Sequence, residues 1–129
     1  MRPKTDGILE SALYVSDIAR SVRFYQETFG FSVIIDFGPP CVPVRIRYCC
    51  SSKKEAHAKI TSPHDGDGKL RLAFAISAAE LANWESWLAR KGIHVEEKRA
   101  WELGGTSLYF RDPDHHLLEL ATSGVWTVY

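Results

Sequence analysis

Cysteine is scarce in this chain of 129 residues: there are three, an odd number, and Cys49 and Cys50 are neighbours. Neighbouring side chains of a strand point to opposite faces, so these two do not make a pair. That excludes a disulfide-stapled secreted scaffold and fits reduced thiols in a cytoplasmic protein. An excess charge of one sign is missing as well. Sixteen Lys and Arg balance sixteen Asp and Glu, which excludes the field of a nucleic-acid binder and a polybasic membrane anchor. No apolar run approaches the ~18 residues of a membrane-spanning helix, and no charged-then-apolar leader is expected. Ser-His-Asp and Cys-His signatures, a phosphate loop and a dinucleotide fingerprint are all absent, so nucleophilic and nucleotide chemistries have no support. What remains is an ordinary globular composition, 45% hydrophobic and 25% charged. It suits one domain, residues 1–129, able to bury roughly two-thirds of its unfolded surface.

What is present is a repeat. Glu10-Ser-Ala-Leu-Tyr-Val-Ser16, followed by an amphipathic stretch ending at Gly30, matches Arg71-Leu-Ala-Phe-Ala-Ile-Ser77, followed by another ending at Gly92. The offset is 61 residues at the strands (10 to 71) and 62 at the glycines (30 to 92). That period is too long for a solenoid and suits a duplicated α+β module. Module one spans about 7–61 and module two about 69–122, with Thr61–Lys69 as linker.

In module one, Ile8–Val15 alternates as a strand, and Asp17–Gly30 reads as a helix with Ile18, Val22, Tyr25 and Phe29 on one stripe. Ser16 or Asp17 caps its start, and Gly30 ends it. Phe31–Phe37, Val42–Cys49 and Glu55–Ile60 follow as strands. In module two, Leu70–Ile76 is a strand, Ser77-Ala-Ala-Glu80 has the form of a capping box, and a helix buries Leu81, Trp84 and Leu88. Ile93–Glu97, Thr106–Arg111 and Leu117–Ala121 complete a second β-α-β-β-β unit.

Alternation sorts the faces. Leu13, Val15, Leu72, Phe74, Leu108, Phe110, Leu118 and Leu120 belong under the helices. The opposite face carries Glu10, Ala12 and Tyr14, then Arg71, Ala73 and Ala75, then Ser107, Tyr109 and Arg111, then Glu119 and Ala121. Arg45, Arg47, His57 and Lys59 join it from the remaining strands. Alanines beside charges suit the floor of a cavity. The plainer alternative is one solvated face of an antiparallel sheet.

Leu13-Tyr-Val-Ser-Asp-Ile-Ala-Arg-Ser-Val-Arg-Phe-Tyr25 with Phe29-Gly30-Phe31 resembles the first module of the vicinal-oxygen-chelate superfamily, the group of glyoxalases, bleomycin-resistance proteins and extradiol dioxygenases. Leu108-Tyr-Phe-Arg-Asp-Pro-Asp-His-His-Leu-Leu-Glu-Leu120 is similar to its closing motif. The resemblance implies paired β-α-β-β-β modules forming a cupped mixed sheet with helices outside, usually a homodimer. It also implies a divalent metal in the enzymatic members. Their usual ligand positions fall on Glu10, Arg71 and Glu119. A carboxylate at Glu10 is a competent ligand, but the family normally has His where Arg71 stands. A guanidinium stays protonated and has no lone pair for a metal. Where the family usually has Gly in the turn after Asp-Pro-Asp, this chain has His115.

Three readings of Arg71 stand. Its charge sits between Glu10 and Glu119 in place of a metal; or a metal remains, held by Glu10, Glu119 and an imidazole of His57 or His64, alternation favouring His57; or the register differs and Arg71 is merely exposed. The cup, counted from the sequence, is positive on balance. The expected ligand is therefore a small anionic molecule held by Arg45, Arg47, Arg71 and Arg111 and flanked by Tyr14 and Tyr109. With a metal, the expectation becomes a lyase, isomerase, transferase or dioxygenase in which Glu119 moves the proton. His94, His115 and His116 read as surface positions. Trp101 and Trp126 read as walls of a pocket or of a dimer contact.

Overall fold

The computed structural model describes residues 10–33, 41–43, 47–52 and 68–129; for Glu10, Ser11 and residues 41–43 and 47–52 it describes the backbone alone. The architecture is α+β, in two compact units, Met1–Asp67 and Gly68–Tyr129.

In the first unit, β1 (Glu10–Val15) leads into α1 (Ile18–Phe29), followed by β2 (Cys41–Pro43) and β3 (Arg47–Ser52). Asp17 caps α1 by accepting the Arg20 N–H, and Gly30 closes it in the left-handed conformation at φ 71°. The buried stripe is Ser21, Tyr25 and Thr28, one position off the expected one; Ile18, Val22 and Phe29 are half-buried. Tyr25, Phe29 and Phe31 stack in series, with centroids 5.9 and 5.1 Å apart. The strand order is β1-β3-β2, with β1 parallel to β3 and Glu10 in register with Arg47. Val42–Cys49 is thus not one strand. It is divided between β2 and β3, which pair antiparallel with Pro43 opposite Arg47. Phe31–Val33 form no strand, and Glu55–Ile60, with His57 and Lys59, lies outside the described residues.

The second unit is a complete β-α-β-β-β module: β4 (Arg71–Ala75), α2 (Leu81–Arg90), β5 (Glu97–Ala100), β6 (Thr106–Arg111) and β7 (Leu117–Ala121). Its strands run in the order β4-β7-β6-β5, with β4 parallel to β7 and the other pairs antiparallel. Leu88, Leu108, Phe110, Leu118 and Leu120 are fully buried. At the ~25 cal/mol per Å² of apolar burial, such residues are the main source of stability.

Three local expectations are corrected here. The capping box does not close, because Ser77 starts a short 3-10 turn, Ala78–Glu80, and the Glu80 carboxylate instead accepts from Asn83. The strand placed at Ile93–Glu97 begins only at Glu97. It is an exposed edge strand with no buried face, so it carries no apolar alternation to read. His116 is buried rather than on the surface. α2 ends as proposed at Gly92, where the Gly92 and Ile93 N–H groups bond Ala89 O and Leu88 O in a Schellman arrangement. Gly105 and Gly124 bring the β5–β6 turn against the segment after β7. A Cβ at Gly105 would lie 2.3 Å from Val125 N.

Candidate functional site

Two bonds fix the start of β4. The Leu117 N–H donates to Leu70 O at 2.8 Å, and the Leu70 N–H donates to His116 Nδ1 at 3.0 Å. Accepting at Nδ1 puts the proton of a neutral His116 on Nε2. His116 is placed by the preceding turn, in which Asp112 Oδ1 accepts the Asp114 and His116 N–H groups, both at 2.9 Å. His115 takes a positive φ of 64° there, the conformation glycine would adopt more cheaply. The resulting register lines up Glu97, Tyr109, Glu119 and Ala73 across the four strands.

Glu119 is the centre of this row, 2% exposed. Its Oε1 accepts the Ser107 hydroxyl at 2.7 Å and the Tyr109 hydroxyl at 2.9 Å, and its Oε2 accepts Arg71 Nη2 at 2.5 Å. Arg71 Nη2 also lies 3.5 Å from the Tyr109 hydroxyl, and the guanidinium sits over the Tyr109 ring, 5.6 Å from its centroid. Behind Ser107, the Trp101 indole N–H donates to Oγ at 2.8 Å. Burial pushes the Glu119 carboxyl up, but the bonds from Ser107, Arg71 and Tyr109 and the Arg71 charge outweigh it, leaving the pKa below the ordinary 4.5. Burial, reinforced by the bond to Glu119, raises the Tyr109 phenol above its usual range. The same carboxylate raises Arg71.

Above this network lies a cavity of about 450 Å³, lined by Arg71, Arg99 and Arg111, by Glu96 and Glu97, and by Trp101, Tyr109 and Leu117. Ser107, Tyr109 and Glu119 are buried, so β6 and β7 do not present a solvated face. On β4, Arg71, Ala73 and Ala75 are exposed. Trp101 is a wall of the cavity, whereas Trp126 is 62% exposed.

Glu96, Glu97 and Arg99 were missed in the sequence. Glu97 is in register with Tyr109, yet it is the Glu96 N–H that bonds Tyr109 O, at 2.7 Å. Two successive residues share one partner, as in a β-bulge, and both acids line the same cavity. Arg111 Nε donates to both Glu96 oxygens at 3.1 Å, and its Nη1 donates to His115 O at 3.1 Å. Arg99 binds Glu97 Oε1 through Nε and Nη2, both at 2.8 Å. On this unit the charges of the cavity balance once Glu119 beneath it is counted. Each of the three arginines has its own carboxylate.

The structure brings together Arg71, Tyr109 and Glu119, with Arg111 on the cavity wall. Tyr14 is half-buried on β1 of the first unit, Arg47 is seen as backbone in β3, and Arg45, His57 and His64 lie outside the described residues. Glu10 opens β1, its side chain undescribed. Glu119 has both oxygens engaged, and its facing residue is a cation without lone pairs. Arg71 thus supplies no ligand where the resemblance places one, and a metal here would have to share the Glu119 carboxylate with its three hydrogen-bond donors.

Sheet order, a strand–helix opening repeated in both units and a polar cavity on the second unit define an α+β protein of the glyoxalase type. Residues 7–120 match the Glyoxalase/Bleomycin resistance protein/Dioxygenase superfamily, and the chain belongs to that family. It is 28% identical over 128 residues to virulence protein STM3117 of Salmonella typhimurium, covering 90% of this chain and 83% of that protein. It is 29% identical over 121 residues to metallothiol transferase FosB of Bacillus licheniformis, covering 93% and 77%. Among solved structures, lactoylglutathione lyase from Agrobacterium tumefaciens superposes with a TM-score of 0.86 at 24% identity, over 97% of this chain and 99% of that one. This last likeness speaks for the fold. Among the described residues, no helix is long and apolar enough to cross a membrane.

Proposed function

We propose that the chain is a small-molecule-binding member of its family whose cavity takes an anionic ligand on Arg71, the guanidinium standing where metal-dependent members keep a ligand. One observation carries this. Arg71 spends only Nη2 on Glu119 and Tyr109, while Nε and Nη1 have no hydrogen-bond partner among the described residues. The side chain is 51% exposed and lines the cavity. A charge-assisted fork to a carboxylate or phosphonate is the contact such a group makes best. Glu119 then serves to hold the guanidinium in place. In this reading both modules form one domain, the protein is a cytoplasmic homodimer, and Tyr14, Arg45 and Arg47 complete the cup from the first module.

The second reading is a metal-dependent enzyme, with Glu10, His57 and Glu119 as ligands and Glu119 also moving a proton. The FosB relative, named a metallothiol transferase, favours it. Elemental analysis of chain purified without chelator separates the two. The expected result is far less than one metal per chain in the wild type and a gain in Arg71→His after metal is added back. About one divalent metal per wild-type chain would reverse the order of the two readings.

A further inference from the structure

The wall opposite Arg71 says more about the ligand, given that the anionic end is held as proposed above. β4 and β5 are the two outer strands of the sheet, with β7 and β6 between them. At ~4.8 Å per spacing their backbones stand about 14 Å apart. Arg71 rises from one side and Glu97, with Glu96 beside it, from the other, and all three line one cavity. Glu97 takes both Arg99 contacts on Oε1, so its Oε2 has no partner among the described residues. Both acids are substantially exposed, 43% for Glu96 and 47% for Glu97, and exposed pairs of this kind hold weakly and exchange readily. The cavity thus offers unused cationic donors at one end and an unused carboxylate oxygen at the other.

From this we infer that the ligand is a zwitterion, with a carboxylate or similar oxyanion on Arg71 and an ammonium or other cationic group against Glu97 and Glu96. Arg99 and Arg111 hold the two acids in place through their ion pairs.

Three probes of one chain length test this: ε-aminocaproate, its neutral-ended analogue ε-hydroxycaproate, and hexylamine. Binding is followed by calorimetry and by the Arg71 Nε–H resonance. In the wild type, ε-aminocaproate is expected to bind about fivefold more tightly than ε-hydroxycaproate. The double variant Glu96→Gln, Glu97→Gln should close that gap while leaving the Arg71 resonance responsive to both. Arg71→Met should weaken both acids. Equal affinity in the wild type, or a gap that survives the double variant, overturns the zwitterion and leaves the anion reading standing. Binding of hexylamine alone, or of no probe, removes the anion reading and this inference with it.

Discussion

Trp101 is joined to Glu119 through a single hydroxyl. The indole is a donor only, so its N–H to Ser107 Oγ at 2.8 Å makes Ser107 an acceptor there and directs the one serine proton to Glu119 Oε1 at 2.7 Å. The aromatic wall of the cavity therefore sets the orientation of a bond to the carboxylate that holds Arg71.

Ser107→Ala breaks this relay at a fully buried position, leaving the indole N–H without its acceptor and Glu119 with one bond fewer. The expected cost is about 1–3 kcal/mol of unfolding free energy in urea titration. Side-chain carbon NMR should show the Glu119 carboxyl titrating at higher pH than in the wild type.

The Glu119 shift also has a signature in stability against pH. Its folded pKa lies below the ordinary 4.5, so the ionised carboxylate stabilises the fold above that value, and the contribution is lost as pH falls through the folded pKa. Glu119→Gln removes the group, so its stability should fall less steeply than that of the wild type below about pH 4.5. Parallel curves in thermal unfolding across that window would contradict the assignment.

His116→Leu deprives the Leu70 N–H of its acceptor beside Arg71. The expectation is a loss of about 1–3 kcal/mol. Faster hydrogen exchange at the Leu70 amide would accompany it, whereas the Leu108 and Leu120 amides in mid-sheet would stay protected.

Leu88 is the most deeply buried side chain of α2, with no exposed surface. Leu88→Ala should cost about 2–5 kcal/mol, the range for a cavity opened in a close-packed core, and should lower the urea midpoint without changing the slope.

The parts of the molecule with strong periodic burial were legible beforehand. β4 shows the alternation of Leu72 and Phe74 against Arg71, Ala73 and Ala75, and α2 ends at Gly92 where its apolar stripe does. The pairing of Arg71 with Glu119 could be anticipated because alternation places both on one face of neighbouring strands. β5 could not be read. Its Glu97-Lys98-Arg99-Ala100 run is exposed throughout, and the irregularity at Glu96 undoes the two-residue period that would have placed its charges. His116 looked like a turn residue because nothing local announces that its ring caps a strand 46 residues earlier. Trp101 carried two meanings in the sequence, and only the bond to Ser107 decides between them.

The meeting of Gly105 with Gly124, main chain against main chain, ties the hairpin that bears Trp101 to the stretch beyond β7. Neither partner has room for a side chain, so the two segments behave as one piece of wall. Lengthening the hairpin by a residue would oblige the distant stretch to be re-laid with it. Diversity among relatives built this way should accordingly arise by exchanging the indole for another ring or chain, and seldom by insertion.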